Sequence, residues 1–135
     1  MKTLSDKELH ALAVEAREKS YCPYSDISVG AALLTRSGKV YTGANIENSA
    51  YSPSVCAERV AFFSAVADGE RDFVAIAVAG GRRGKKSRTT FPPCGLCRQV
   101  MAEFTSPDFR IILSEGEAVT LEELLPLSFG KDFVL

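Results

Sequence analysis

The chain has 135 residues, close to the usual length of one domain, with 46% hydrophobic and 24% charged residues. Its formal net charge of −1 excludes a generally basic nucleic-acid binder and an acidic disordered tail. The longest apolar run, Phe73-Val-Ala-Ile-Ala-Val-Ala79, is too short to cross a bilayer, and MKTLSDKELHALAVEAREKS lacks the apolar core of a secretory signal. A soluble, cytoplasmic domain over 1–135, with no membrane or nucleic-acid partner, is expected.

Ser5-Asp-Lys-Glu8 has the form of a capping box, and Leu9, Leu12, Ala13 and Ala16 follow at helical spacing. They predict a helix over about 5–19, with His10 on its surface. Tyr21-Cys-Pro-Tyr-Ser-Asp26 is loop chemistry, because Pro23 pushes its predecessor out of the helical region. Two apolar runs, 29–35 and 39–44, joined by Arg36-Ser37-Gly38, predict a hairpin. Ser52-Pro53-Ser54 leads into a second helix over 55–68, stopped by Gly69, with Phe62 and Phe63 on its core face. The wholly apolar 73–79 predicts a strand buried on both faces. A loop over 80–93 follows, its basic 82–88 stretch read as solvated, with a phosphate or nucleic-acid contact as the alternative. A helix over 94–104, a strand over 109–113 and a short helix over 120–125 complete the series. A hairpin followed by alternating helices and strands predicts an α/β sheet covered on both faces.

His10 is the only histidine, so no Ser-His or Cys-His pair is available from the predicted loops. The four cysteines, Cys22, Cys56, Cys94 and Cys97, point to metal binding or catalysis in a reducing compartment. Positions 94 and 97 are surface neighbours on a helix, so both thiolates can reach one ion. Both lie at a helix start, as does Cys56, where the dipole and free N–H groups favour the thiolate. Cys56 must occupy the cap or first turn if Glu58 is to approach the same ion. Three thiolates leave the fourth zinc position open to water, as a catalytic site requires, and Glu58 is the base placed to take its proton. Three thiolates and Zn²⁺ sum to −1, which weakens acidification of that water; Arg59 is placed to offset the charge. The competing reading is a structural four-cysteine site that recruits Cys22, which otherwise is a small buried loop residue.

Cys56-Ala-Glu58 and Pro93-Cys-Gly-Leu-Cys97 together resemble the zinc deaminase signature in its three-cysteine form. More of the chain is similar to the small, homotetrameric cytidine deaminases: Tyr21-Cys-Pro-Tyr-Ser25, Val29-Gly-Ala-Ala-Leu-Leu34, Asn45-Ile-Glu-Asn48, Cys56-Ala-Glu-Arg59, Cys94-Gly-Leu-Cys-Arg-Gln99 and Glu123-Leu-Leu-Pro126. The resemblance implies a three-layer α/β/α fold with a mixed five-stranded sheet, and one Zn²⁺ per chain held by Cys56, Cys94 and Cys97 between two helix N-termini. It implies hydrolytic deamination of cytidine and deoxycytidine in pyrimidine salvage, with Glu58 carrying protons between the water, ring N3 and the leaving amine. The Ala57 N–H would hold the pyrimidine carbonyl, and Asn45 and Glu47 the sugar 3′-hydroxyl. Tyr51 and Phe129 match residues lent to a neighbouring subunit's site, Phe129 stacking on the pyrimidine. Gln99 matches a residue that helps position Arg59.

Four departures accompany the match. Ile27 stands where the family usually has an aromatic beside the base, and Ser49 where alanine is usual. Ser52-Pro-Ser-Val55 is an uncommon lead into the zinc helix, and the 80–92 loop is basic where the family has no fixed pattern. They bear on which cytosine nucleoside is preferred, a cytosine-bearing antibiotic included. The residues alone also leave the pair Asn45 and Glu47 open to an Asx-type turn.

Overall fold

The Ser5 hydroxyl accepts from the Glu8 N–H at 3.1 Å, while Glu8 Oε1 accepts from the Ser5 N–H at 3.0 Å. This reciprocal cap starts helix α1, Asp6–Ala16, which runs on into a single 3₁₀ turn, Arg17–Lys19. A computed structural model describes residues 4–135; residues 1–3, the start of the expected 1–135 domain, lie outside the described residues.

Five strands follow the hairpin-then-alternation pattern: β1 Ile27–Thr35, β2 Val40–Ala44, β3 Phe73–Arg82, β4 Arg110–Ser114 and β5 Glu117–Thr120. They form one sheet in the order β2-β1-β3-β4-β5, antiparallel throughout except for the β3–β4 pair. The parallel pair needs a crossover, and it is supplied by α3, Gly95–Phe104. Helix α2, Ala57–Ala67, connects β2 to β3, and α4, Leu121–Leu124, opens on the capping pair Thr120 and Glu123.

Alternation along the strands sorts side chains onto two faces. Val29, Ala31, Leu33, Ile76, Val78 and Ile111 pack with Phe62 of α2 and Met101 of α3. On the opposite face Ala32, Leu34, Ala75, Ala77 and Ala79 meet Leu9 and Ala13 of α1. The result is the expected three-layer α/β/α arrangement with a mixed five-stranded sheet. Two glycines set how closely the helices lie. A Cβ on Gly43 would stand 2.3 Å from the Ala57 carbonyl oxygen, so the first turn of α2 rests directly on β2. A Cβ on Gly30 would stand 2.0 Å from the Ala13 carbonyl oxygen of α1.

Four expectations are corrected. Strand β3 extends three residues past Ala79, because Gly80, Gly81 and Arg82 pair with Val29, Ser28 and Ile27 although glycine is a poor strand former. Strand β5 was not expected from the residues; it is a four-residue edge strand with no buried position. His10 is 6% exposed, not a surface residue, because α1 turns it toward the sheet, where it hydrogen-bonds the Val78 backbone of β3. Phe63 is 49% exposed: one residue on from the buried Phe62, it is turned about 100° around α2 and away from the sheet.

Candidate active site

Cys56 and Cys94 are the N-cap residues of α2 and α3, each with extended backbone and neither side chain capping a first-turn N–H of its helix. An N-cap side chain ordinarily accepts from the first-turn N–H groups. Both thiols instead turn toward each other, with their sulfurs 3.4 Å apart. Cys97, one turn into α3 and buried, brings its sulfur to 3.5 Å from that of Cys94. The three Sγ atoms lie within 4.8 Å of one another. Tetrahedral thiolates at about 2.3 Å from one ion have sulfurs roughly 3.8 Å apart, so a small rearrangement fits these three around Zn²⁺. Among the described residues, Cys56, Cys94 and Cys97 are the group so arranged. Cys22 takes no part in it; that thiol is buried in the loop before β1 and lies 3.6 Å from the Ser20 hydroxyl.

Because Cys56 is the cap, Glu58 is the second residue of α2 and points into the protein beside the thiols. It is 3% exposed, and its Oε1 has no hydrogen-bond partner. Burial raises its carboxyl to about 7, and the charge on Cys56 adds to the rise. A carboxylate so placed holds a proton near neutrality and releases it readily, which suits a group that must be base and then acid. Hydrogen bonding from Cys97 lowers the Cys56 thiol to about 5 against the opposing effect of burial; Arg59 and Cys94 add to the lowering. The same shared proton, with burial, pushes Cys97 upward. Arg59 donates from Nη2 to the Cys56 sulfur at 3.4 Å, while its buried Nε has no partner.

The sugar-end candidates are carried on the irregular chain after β2. Ile46 makes single bridges to Tyr21 and Val55. Asn45 is buried and binds the backbone of β1 at two points, its Oδ1 accepting from Val29 N–H at 2.8 Å and its Nδ2 donating to the Ile27 carbonyl at 2.9 Å. This is strand-to-strand bracing, not an Asx turn. Glu47 is held by the loop before β1: its Oε1 accepts from the Tyr24 and Ser25 N–H groups at 3.0 and 3.1 Å, and its Oε2 from the Ser25 hydroxyl. Ser25 Oγ also accepts from the Ile27 N–H at 3.0 Å, so one hydroxyl sets both Glu47 and the start of β1. Ile27 is half-buried against the core that contains Ala57 and Cys97. Ala57, the first residue of α2, is fully buried.

Tyr51 and Phe129 are not brought to this site within one chain. Tyr51 is 72% exposed with a left-handed backbone (φ 62°), its ring edge-on to Tyr24 at 6.0 Å. Phe129 is 59% exposed and stacks on Phe133 at 5.6 Å. Gln99 donates to the Phe129 carbonyl at 3.0 Å, and no side chain reaches Arg59 Nε. Two positioning residues went unremarked in the sequence although both lie inside quoted motifs. Ser25 is one. Arg98 is the other: it donates to the Pro93 carbonyl at 2.9 Å and to the Leu124 carbonyl at 2.8 Å, tying the residue before Cys94 to the end of α4.

Comparison with known proteins agrees with this geometry. Residues 3–113 match the family described as the cytidine and deoxycytidylate deaminase zinc-binding region. A cytidine deaminase from Sporosarcina psychrophila is 48% identical over 130 residues, 93% of this chain and 92% of that protein. A blasticidin-S deaminase from Bacillus cereus is 34% identical, over 98% of this chain and all of that protein. The crystal structure of cytidine deaminase from Burkholderia pseudomallei superposes with a TM-score of 0.84 at 44% identity, covering 93% of this chain and 100% of that one. With a signature matched over most of its length, its three sulfurs gathered at two helix starts and this fold, the chain belongs to the cytidine and deoxycytidylate deaminase zinc-binding family.

Proposed function

We propose that this chain is a zinc-dependent cytidine deaminase, converting cytidine and deoxycytidine with water to uridine and deoxyuridine plus ammonia. The observation that carries the reading is the buried, unpartnered Glu58 Oε1 beside three thiols able to share one ion. When bound by Cys56, Cys94 and Cys97, Zn²⁺ would supply Lewis-acid activation of water at its fourth position. Glu58 takes a proton from the attacking water and delivers it to ring N3, then takes the remaining proton of the new C4 hydroxyl and gives it to the departing amine, so that the C4 carbonyl forms as ammonia leaves. Arg59 offsets the negative charge of the thiolates. The Ala57 N–H binds the pyrimidine carbonyl, Ile27 covers one face of the ring, and Asn45 and Glu47 bind the sugar hydroxyl.

The chain works as a single 1–135 domain in a cytoplasmic homotetramer serving pyrimidine salvage. Tyr51 and Phe129 complete the pocket of a neighbouring subunit, which accounts for the exposure of both rings in one chain. Gln99 helps to position Arg59 in the assembled enzyme; within one chain its amide holds the segment that carries Phe129. The test is loss of cytidine absorbance with purified enzyme, abolished by a chelator and restored by Zn²⁺. Activity indifferent to chelation overturns the metal part of the reading, and no turnover of either nucleoside overturns the substrate part.

A second reading, deamination of a cytosine-bearing nucleoside antibiotic, is favoured by Ile27 and by the full-length match to a blasticidin-S deaminase. Its 34% identity is lower than the 48% of the cytidine deaminase from Sporosarcina psychrophila, and kcat/KM for cytidine against blasticidin S decides between them. A purely structural zinc module needs a fourth protein ligand, and Cys22 stands apart from the other three. Retention of about one zinc per chain in Cys22→Ala, by metal analysis after dialysis, removes that alternative.

A further inference from the structure

Across the sheet from the thiols, α1 and the 83–89 segment wall a cavity of 960 Å³, at the upper end of the size range of small-molecule sites. The segment is ordered by its backbone: Arg83 N–H donates to the Asp26 carbonyl at 2.9 Å, Lys85 N–H to Arg82 at 3.0 Å and Arg88 N–H to Gly80 at 2.8 Å. Gly84 turns it with φ +76°. Five cations line the cavity, and two already have protein partners. Arg17 is buried and donates to the Ser28 and Arg82 carbonyls, each at 3.0 Å; Arg83 pairs with Asp26 at 2.9 Å. Lys85, Lys86 and Arg88 have no carboxylate within ion-pair distance among the described residues. Glu18 and Glu115 are the acidic members of the wall, so cations prevail there in a chain of net charge −1.

His10 supplies an independent observation. It lines the same cavity, is 6% exposed, and its Nε2 is buried without a partner. Neither this imidazole nor the 85–88 cations have a part in the proposed deamination.

We infer that this cavity binds the phosphate chain of a small polyphosphate anion, either the tail of a nucleoside triphosphate or inorganic polyphosphate. Three unpaired cations within four residues match several linked charges better than one. Phosphate oxygens take the charge-assisted bonds that Lys and Arg offer. Confinement of the cations to a concavity, with glutamates in the same wall, favours a compact anion over a long nucleic acid.

His10 is the chain's single histidine, so its imidazole signals in NMR report on the cavity without ambiguity. Inorganic triphosphate and ATP are titrated separately into the zinc-loaded protein, with single-stranded DNA as a third arm. Saturable shifts of the His10 signals with triphosphate and ATP alike assign a phosphate-chain site; tighter binding of ATP identifies the nucleotide as its source. The variant Lys85→Ala/Lys86→Ala/Arg88→Ala should weaken binding about tenfold or more, with zinc content and cytidine turnover unchanged. No shift with about 10 mM triphosphate, well beyond millimolar affinity, overturns the inference. So does a shift that survives unaltered in the folded triple variant, or DNA binding tighter than either small anion.

Discussion

Arg59 Nη2 lies 3.4 Å from the sulfur of Cys56, three residues earlier, so the same helical turn that presents a thiolate carries the cation that balances it. The pairing acts on charge and leaves the ligand count alone. Replacing Arg59 with Gln should therefore slow cytidine turnover while zinc stays at about one per chain. A rate within about twofold of the parent, at full zinc, shows that the guanidinium has no part in the reaction.

Glu58→Gln keeps the shape and burial of the side chain but cannot accept a proton. Turnover should fall by at least about 10²–10⁴-fold, the range for one positioned acid–base group, with metal content unchanged. Near-normal turnover in this variant removes Glu58 from the role of proton carrier.

Ser25→Ala deletes the hydroxyl that binds Glu47 Oε2 and the Ile27 N–H, leaving the two backbone donors to Glu47 in place. One hydrogen bond is worth about 0.5–1.5 kcal/mol, so KM for cytidine should rise roughly 2- to 12-fold with little change in kcat. A fall in kcat at constant KM would place the effect on the chemistry and not on sugar binding.

Ile27→Phe restores an aromatic at the edge of β1 against the site-side core. A stacked ring adds about 0.5–1.5 kcal/mol beyond area burial, and stacking acts on bound substrate and transition state alike. KM for cytidine should drop a few-fold at constant kcat. A folded, zinc-loaded variant with raised KM indicates a pocket shaped around isoleucine and directs attention to other cytosine nucleosides.

Burial holds the His10 imidazole below its ordinary 6.5, against weaker opposing influences of Glu115 and the Val78 backbone. At pH values above 6.5 the folded and unfolded chains are both neutral at this position and it adds no pH dependence. As pH falls below that value the unfolded chain takes up a proton that the folded chain resists, so stability declines until the folded imidazole itself titrates. The drop in urea midpoint between about pH 7.5 and 5.5 should be smaller in His10→Gln than in the parent chain. Equal drops in the two proteins show that this imidazole titrates alike in both states.

The elements legible in the residues were those with a local signature. Ser5 with Glu8 and Thr120 with Glu123 announce helix starts because the cap is made between neighbours in sequence. Cys94 and Cys97 were legible as a pair because helix geometry makes positions three apart neighbours, whereas the joining of Cys56 and Glu58 to them from another helix was implied by the resemblance. Illegible features depend on distant partners. Gly80–Arg82 becomes strand only because β1 is there to pair with it, and Phe91 lies over Gly80 where a Cβ would stand 2.7 Å from the ring. His10 is buried by elements far along the chain, and the clamp of Ser25 on Glu47 spans 22 residues. The left-handed backbone of Tyr51 has no signature in its own side chain.

The strand order β2-β1-β3-β4-β5 has a consequence for how the chain leaves the ribosome. After the first hairpin, β3 joins the free edge of β1, β4 and β5 each join the strand made just before, and no strand inserts between two already paired. Assembly can thus keep pace with translation, N-terminal part first. Cys97 is synthesised before either of the last two strands, β4 and β5, exists. Metal capture and completion of the sheet are therefore separable events in the birth of the protein, and the nascent chain carries its full set of sulfur ligands while one sheet edge still awaits its partners.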